Sequence, residues 1–381
     1  MEKSRRDSTL IEIINKTPIT RDRYVDFLRA FSIIVVCIGH WLSAVVIKNE
    51  TGIRVYNAVG MIRGMWLSTW ILQVMPLFFF VGGFSNSRNI NSLKNKGKGL
   101  KEFYKKRAIR LLKPTIFFCI IWFFIIIFLL IFLPDWQRYK MGLVATIGPL
   151  WFLGVYLFVT LVAPFMLKLH KSSKFLIISL LFISAVIIDL IRFKFKIYWV
   201  GWFNVFTVWL FVHQLGFFYE DDTLINIPVM KKFLIAFLGI LGLIFLTNFG
   251  PYPKSMVGTG FEKISNMNPP TICIVMLSLW LVGLAMILRD VINKWLENAN
   301  FWLLVILANR WIMTIYLWHL TAYAISYILL YQIGFGHHIT DNITIWWLER
   351  PLWIAVPGIF LIIFIKIFGR FETSGMKGGG G

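Results

Sequence analysis

The chain has 381 residues, of which 58% are hydrophobic and only 15% are charged, yet 39 Lys and Arg against 18 Asp and Glu give a net charge of +21. Soluble domains average about 25% charged and about 45–50% apolar residues. The composition therefore excludes an ordinary soluble enzyme and a histone-like nucleic-acid binder, and no nucleic acid is expected as a partner. A bilayer suits such a chain, because roughly 20 consecutive apolar residues span about 30 Å. We expect a multi-pass membrane protein.

Ten apolar segments are each long enough to cross a bilayer. A spanning segment must satisfy its backbone hydrogen bonds internally, so the predicted fold class is all-α, with about ten transmembrane helices in one bundle. The shorter apolar stretch Phe301–Asn309 is expected to be interfacial or half-inserted. The ten segments lie near Phe27–Ile47, Trp66–Phe84, Thr115–Leu133, Val144–Leu167, Phe175–Ile191, Tyr198–Tyr219, Phe233–Phe249, Thr271–Leu288, Trp311–Tyr331 and Leu352–Phe368.

The distribution of basic residues predicts the orientation of the bundle. Of the 39 Lys and Arg residues, 28 lie in one alternate set of connections and termini and 11 in the other. Cytoplasmic loops carry the excess of Lys and Arg, so both termini are expected in the cytoplasm. The predicted domains are a basic N-terminal segment over 1–26, a transmembrane domain over 27–370, and a flexible tail or expression scar over 371–381.

Ionisable residues within spans are functional candidates because a charge in a bilayer is costly. His40 lies 11 residues beyond Arg29, which is about 16 Å along a helix, and the two residues differ by only about 20° in direction. Asp26 lies on the same side. An imidazole titrates near neutral pH and can accept a proton from a hydroxyl. His40 is therefore either a general base near the midplane, with Arg29 and Asp26 as catalytic partners, or a histidine hydrogen-bonded to a neighbouring helix.

A second basic cluster lies immediately before the third predicted span. Arg107 and Arg110 are i,i+3 neighbours, while Lys106, Arg110 and Lys113 form another ridge. Paired guanidinium groups at this position can bind a polyphosphate. The alternative is a positive-inside signal that also contacts anionic lipids.

Further polar side chains lie within predicted spans. His319 is nine residues past Arg310, about 13 Å deep, which is near the depth of His40. It is a candidate for a second catalytic or substrate-binding role. His213 and Gln214 either bind substrate or hydrogen-bond between helices. His337 and His338 have no Cys or carboxylate at ligand spacing, and no metal is expected.

One connection is longer and richer in Gly and Pro than the others. The segment Gly250–Pro270 contains three glycines and four prolines. Long loops are either functional or simple linkers. This loop is therefore either a lid or substrate rim, or an ordinary connector.

Several motifs together resemble the acyltransferase-3 family of bacterial integral-membrane acyltransferases. The resemblance covers about Arg21 to Phe368. In place of the Ser-Gly pair common in the family, this chain has Gly82-Gly83. The motifs are Arg29-x10-His40 within Arg23-Tyr-Val-Asp-Phe-Leu-Arg29, Arg107-x-x-Arg110, Pro76-Leu-Phe-Phe-Phe-Val-Gly-Gly-Phe84, Trp151-Phe-Leu153 and Tyr316-Leu-Trp-His319.

The resemblance implies transfer of an acyl group, commonly acetyl, from cytoplasmic acyl-CoA to a hydroxyl of an extracytoplasmic glycan or lipid-linked sugar in a bacterial cytoplasmic membrane. It implies that His40 is the base or relays the acyl group, and that Arg29 orients the site or meets the donor. Arg107 and Arg110, with Lys106 and Lys113 beside them, would hold the phosphates of CoA. Trp151 joins the candidate substrate-binding residues.

Three classes of protein fit these observations. The first is a membrane O-acyltransferase that binds acyl-CoA, a glycan acceptor and membrane lipids. The second is a transporter or flippase for an anionic lipid-linked sugar, although the inverted repeats and broken helices common in transporters are not evident. A lipid-binding scaffold would account for the basic loops but not for three histidines within spans. The sequence does not determine the oligomeric state, and a homo-oligomer is one of the alternatives.

Overall fold

The protein is a bundle of long helices with a small hairpin at one end. The computed structural model describes residues 21–49, 52–132, 136–148, 150–336, 339 and 342–373. Most of the predicted N-terminal segment, His337, His338 and the tail from residue 374 lie outside the described residues. The elements are α1 Arg23–Ser43, β1 Ala44–Asn49, β2 Gly52–Asn57, α2 Trp66–Leu72, α3 Met75–Asn95, α4 Leu100–Phe132, α5 Trp136–Ile147, α6 Leu150–Lys194, α7 Asn204–Glu220, α8 Thr223–Asn226, α9 Val229–Phe249, α10 Ile272–Trp295, α11 Ala299–Arg310, α12 Ile312–Gln332, α13 Ile343–Glu349 and α14 Leu352–Thr373, with 3₁₀ turns at Ala58–Gly60 and Tyr198–Phe203.

The all-α fold class and the multi-pass architecture are confirmed. Within the described residues, nine helical segments are long and apolar enough to cross a membrane. The difference from the expected ten lies in α6, an element of 45 residues in which two helices are joined across a kink. That length is about 68 Å of helix, more than twice the apolar thickness of a bilayer. Ser173 is non-helical in its middle, with φ −155° and ψ 69°, and this kink falls between the fourth and fifth predicted spans.

The first predicted span ends four residues earlier than expected. The side chain of Asp22 caps the N-terminus of α1 by accepting a hydrogen bond from the backbone N–H of Val25 at 3.0 Å. The helix ends at Ser43, and the β-branched run Val45–Ile47 enters an antiparallel hairpin in which Ala44 faces Asn57. β-Branched residues favour a strand over the end of a helix. The hairpin therefore begins within four residues of His40.

The basic cluster belongs to the third spanning helix rather than to a loop before it. α4 runs without a break from Leu100 through Pro114 to Phe132, a length of 33 residues. A continuous helix holds each residue at a defined angle relative to its neighbours. Arg107 and Arg110 are therefore fixed relative to the span.

The chain boundaries differ slightly from those predicted. α14 continues to Thr373, three residues past the predicted end of the transmembrane domain at residue 370. α11, which contains the short segment Phe301–Asn309, is 12 residues long and buries Trp302, Val305 and Asn309. Twelve residues span only about 18 Å, so α11 packs against the bundle without crossing a membrane by itself.

The loop over residues 250–270 is fixed to the hairpin end of the bundle. Trp70 Nε1 donates a hydrogen bond to the carbonyl of Lys254 at 2.8 Å, and the N–H of Met256 donates to Thr69 Oγ1 at 3.0 Å. The rings of Tyr56 and Phe261 stack at 4.9 Å between centroids. The loop thus joins α2 and β2 to the start of α10.

Close backbone contact holds α3 against α7. A Cβ atom added at Gly83 would lie 2.0 Å from the carbonyl oxygen of His213, and one added at Gly216 would lie 2.1 Å from that of Phe80. Only glycine leaves room for two helix backbones at this separation. These two glycines therefore position the helix that forms one wall of the site described below.

We expect Gly83→Ala to destabilise the bundle because its methyl group would overlap a backbone carbonyl. Overpacking costs about 1–3 kcal/mol, and the melting temperature of the protein in detergent should fall by several degrees. Gly154→Ala is the matched control, because a Cβ atom there meets nothing within 4 Å. Equal melting temperatures for the two variants would contradict this account of the helix contact.

Candidate active site

Three arginines meet at one narrow cavity between α1, α3, α4, α6 and α12. The cavity has a volume of about 80 Å³. Arg29 reaches it from α1, and Arg107 and Arg110 reach it from α4. Its walls are otherwise mostly apolar and aromatic, formed by Ile33, Phe78, Val81, Gly82, Leu111, Phe152, Leu153, Tyr156, Ile312, Met313 and Tyr316. The structure thus brings together three cations that lie up to 81 residues apart in the sequence.

Arg29 is held by partners from three helices. Its guanidinium donates to Asp26 Oδ1 at 3.2 Å and to Asn309 Oδ1 at 3.4 Å through Nη1, and to Ser85 Oγ at 2.6 Å through Nη2. Asp26 is 5% exposed and also pairs with Arg21. Asp26 is therefore the counter-ion of Arg29, and the carboxylate is engaged within the protein.

Asn309 and Ser85 were not among the residues predicted for the site. Asn309 is 3% exposed and donates to the carbonyl of Asp26 at 2.8 Å. It lies in the short apolar segment that precedes the ninth predicted span, where a buried amide is itself a sign of polar contacts. Ser85 is one residue past the Gly-Gly-Phe motif, and nothing in its local sequence distinguishes it from other helical serines.

Arg107 and Arg110 have no neutralising carboxylate. Arg107 Nη2 donates to the carbonyl of Ser85 at 2.7 Å, while its buried Nε has no hydrogen-bond partner. Among the described residues, neither guanidinium lies within ion-pairing distance of a carboxylate. A buried cation and a buried N–H without partners both cost free energy. This part of the cavity therefore favours an anion.

The two lysines of the predicted cluster lie outside the cavity. Lys106 has a side chain that is 42% exposed and lies 3.8 Å from Glu102 on the same helix. Lys113 is exposed as well. The predicted ridge of Lys106, Arg110 and Lys113 is therefore divided, and only its central arginine reaches the cavity.

His40 and His319 are in direct contact, in agreement with their similar predicted depths. His40 Nδ1 lies 2.9 Å from His319 Nε2, and the two rings are nearly parallel, with centroids 5.1 Å apart. His319 Nδ1 lies 2.6 Å from the carbonyl oxygen of Tyr316, and Trp41 Nε1 donates to the carbonyl of His319 at 2.9 Å. The contact joins α1 to α12 inside the bundle.

The exposed part of His40 faces the inside of the bundle. His319 is fully buried, whereas His40 is exposed. Phe31 and Ile34, which are 37% and 47% exposed, point about 180° and 120° away from His40 around α1. The fully buried Ile33 points within about 20° of His40. The imidazole therefore opens into a recess on the side of α1 that packs against other helices.

The arginine cavity and the histidine pair lie along one path. Ile33 and Tyr316 line the cavity. Ile33 is seven residues before His40 on the same face of α1, and Tyr316 is three residues before His319 on α12. Seven residues correspond to about 10 Å of helix. The arginine cavity and the histidine pair are therefore contacted by the same two helices, α1 and α12.

The other predicted substrate-binding residues lie elsewhere. His213 Nε2 is 3.1 Å from Asn86 Nδ2, and Gln214 Nε2 is 2.7 Å from His170 Nδ1. Both contacts join helices, as the structural alternative for these residues expected. Trp151 is 46% exposed on the outside of α6. Its neighbour Phe152 is the member of that motif whose side chain lines the cavity.

A carboxylate from the last helix completes the wall that contains Met313. Glu372 accepts hydrogen bonds from the backbone N–H groups of Met313 and Thr314, both at 3.0 Å, and from Thr314 Oγ1 at 2.9 Å. The first N–H groups of a helix have no partner within the helix. Glu372 therefore fixes the start of α12, seven residues before His319.

Nothing in the described part of the chain indicates a metal centre. No group of three His, Cys, Asp or Glu residues could hold a metal ion there.

A comparison with family models identifies the family of the chain. A model described as an acyltransferase domain, acyltransferase-3, matches residues 22–370. The chain belongs to the acyltransferase-3 family. Membership identifies this protein as a membrane acyltransferase and favours the enzyme over the transporter and scaffold hypotheses. Neither a curated protein nor a solved structure shows significant similarity to the chain.

We expect Glu372→Ala to lower the stability of this acyltransferase, because two backbone N–H groups and the Thr314 hydroxyl would lose their acceptor. Loss of a helix cap costs about 0.5–2 kcal/mol. The melting temperature should fall, and Glu372→Gln should lower it less because its amide oxygen still accepts. Lys366→Ala, an exposed change on the same helix, should leave the melting temperature unaltered. A Glu372→Ala protein as stable as this control would contradict the capping role.

Proposed function

We propose that this protein transfers an acyl group, commonly acetyl, from acyl-CoA to a hydroxyl of an extracytoplasmic glycan or related acceptor, with His40 as the base. One observation carries the proposal: the cavity that holds Arg29, Arg107 and Arg110 lies on the same face of α1 as the exposed imidazole of His40. The separation of Arg29 from His40 along the helix is about 16 Å. An extended pantetheine arm can cover this distance from phosphate to thioester.

The donor end of the site suits the phosphates of CoA. Arg29 is already paired with Asp26, so its charge is largely offset. Arg107 and Arg110 lack such a partner, and guanidinium groups bind phosphate oxygens through charge-assisted hydrogen bonds. The mostly apolar walls of the cavity suit an arm that carries no charge.

The acceptor end suits proton transfer. His40 takes the proton of the acceptor hydroxyl as the oxygen attacks the thioester carbonyl. The carbon–sulfur bond then breaks, and the proton passes from His40 to the sulfur of CoA. A positioned base of this kind contributes about 10²–10⁴-fold to the rate. The transfer needs no metal, and the sum of the reaction is an ester and free CoA.

The orientation of the chain supports access to both substrates. The excess of Lys and Arg in one set of connections supports a bacterial cytoplasmic membrane in which both termini and the start of α4 face the cytoplasm. Acyl-CoA then enters from the cytoplasm, and the acceptor approaches from the hairpin end.

Replacing the two unpaired arginines should weaken donor binding. Arg107→Ala with Arg110→Ala removes contacts worth about 1.5–3 kcal/mol each, so the Kd for acetyl-CoA should rise by about 100-fold or more. The matched control is Lys106→Ala with Lys113→Ala, which removes the same charge from the same helix outside the cavity. Isothermal titration of purified protein compares the two. Equal losses of affinity would show that only the overall charge of this segment matters.

His40→Asn should abolish acyl transfer while leaving donor binding intact. The asparagine cannot accept the proton of the hydroxyl, so the rate of CoA release from acetyl-CoA should fall by at least about 10²-fold. The Kd for acetyl-CoA should stay within about threefold of the unaltered protein, because the phosphates bind at the other end of the site. Unaltered turnover in this variant would eliminate His40 as the base.

A further inference from the structure

We propose that His319 is a positioning residue that sets the tautomer of His40 and leaves the Nε2 atom of His40 as the free proton acceptor. The proposal rests on the proposed function, since it explains how His40 serves as a base. It adds a role for His319 that differs from binding substrate.

The carbonyl of Tyr316 determines which nitrogen of His319 carries a hydrogen. His319 Nδ1 lies 2.6 Å from this oxygen, and a carbonyl oxygen can only accept a hydrogen bond. His319 Nδ1 must therefore carry a hydrogen. In a neutral imidazole only one nitrogen is protonated, so His319 Nε2 then has a lone pair.

The tautomer of His319 then determines which nitrogen of His40 carries a hydrogen. His319 Nε2 lies 2.9 Å from His40 Nδ1. Because Nε2 of His319 can only accept, Nδ1 of His40 must donate. His40 Nε2 is then left unprotonated. The carbonyl of Tyr316, His319 and His40 thus form a directed chain of two hydrogen bonds.

Burial keeps His319 neutral in the resting protein. His319 is 0% exposed, and among the described residues no carboxylate lies within ion-pairing distance of it. A buried cation without a counter-ion is costly. If His319 were protonated on both nitrogens, it would donate to His40 Nδ1, and His40 Nε2 would carry the hydrogen instead. The neutral state is the one in which His40 can act as a base.

The same chain stabilises the product of proton transfer. When His40 accepts a proton at Nε2, both of its nitrogens carry hydrogens and the ring is a cation. His40 Nδ1 then makes a charge-assisted hydrogen bond to His319 Nε2, which is stronger than a neutral one. The aspartate of a serine-protease triad holds its histidine in the same way, without itself taking the proton. Here a neutral imidazole takes the place of that carboxylate.

The direct test is the tautomer of His40. Nuclear magnetic resonance of protein labelled with ¹³C and ¹⁵N only in histidine distinguishes the two neutral forms, and the signals of His40 are those missing from His40→Asn. We expect a protonated Nδ1 and a bare Nε2 in the unaltered protein. In His319→Leu the His40 signal should change to the form with Nε2 protonated or to a mixture. A protonated Nε2 in the unaltered protein would overturn the proposal.

Kinetics test the consequence for catalysis. His319→Leu should lower kcat for CoA release from acetyl-CoA by about 10²-fold with little change in KM. His319→Gln, whose amide oxygen can accept from His40 Nδ1, should recover part of the loss. A leucine variant with unaltered kcat, or a glutamine variant no better than leucine, would overturn the positioning role. If the unaltered protein releases no CoA from acetyl-CoA when a cell-envelope glycan is supplied as the acceptor, the proposed function fails, while the tautomer measurement still decides the orientation of His40.

Discussion

A guanidinium can lie inside this apolar bundle only if other side chains replace the water that it gives up. For Arg29 those side chains are Asp26 on the same helix, Ser85 on α3 and Asn309 on α11. The requirement ties two other helices, α3 and α11, to one face of α1. Because a helix is rigid, fixing that face near residue 29 also fixes the direction of residue 40, about 16 Å further along. The position of the histidine pair therefore depends on the contacts of Arg29.

The positive charge of the cavity comes from Arg107 and Arg110, which have no carboxylate within ion-pairing distance among the described residues. Asp26 pairs with Arg29 and with Arg21, whereas Arg107 and Arg110 remain as half-buried positive charge in walls that are mostly apolar. Such an arrangement costs free energy in the absence of an anion. The basic residues on α4 thus fall into two groups. Arg107 and Arg110 line the cavity, whereas Lys106 and Lys113 face outward, where a positive charge favours the cytoplasmic side and contacts anionic lipids.

The histidine pair differs from the cavity in that it is electrically neutral. No charge is present in its resting state, and the direction of its hydrogen bonds follows from one backbone carbonyl. Because His319 is buried, water does not compete for its nitrogens, and the direction of these hydrogen bonds is fixed. The exposed side of His40 is left for substrate.

Much of this was determined by the sequence alone. Composition excluded a soluble protein, the apolar segments predicted the helices, and the 11-residue spacing of Arg29 and His40 predicted their common face, since these follow from local periodicity. The nine-residue spacing from Arg310 predicted that His319 lies near the depth of His40, but it did not predict their contact. Ser85 and Asn309 could not be found, because they lie 56 and 280 residues from Arg29 and only packing brings them together. The exclusion of Lys106, Lys113 and Trp151 from the cavity, the kink at Ser173, the cap from Glu372 and the tautomer of His40 were likewise decided by tertiary structure, since each depends on which helix lies beside which.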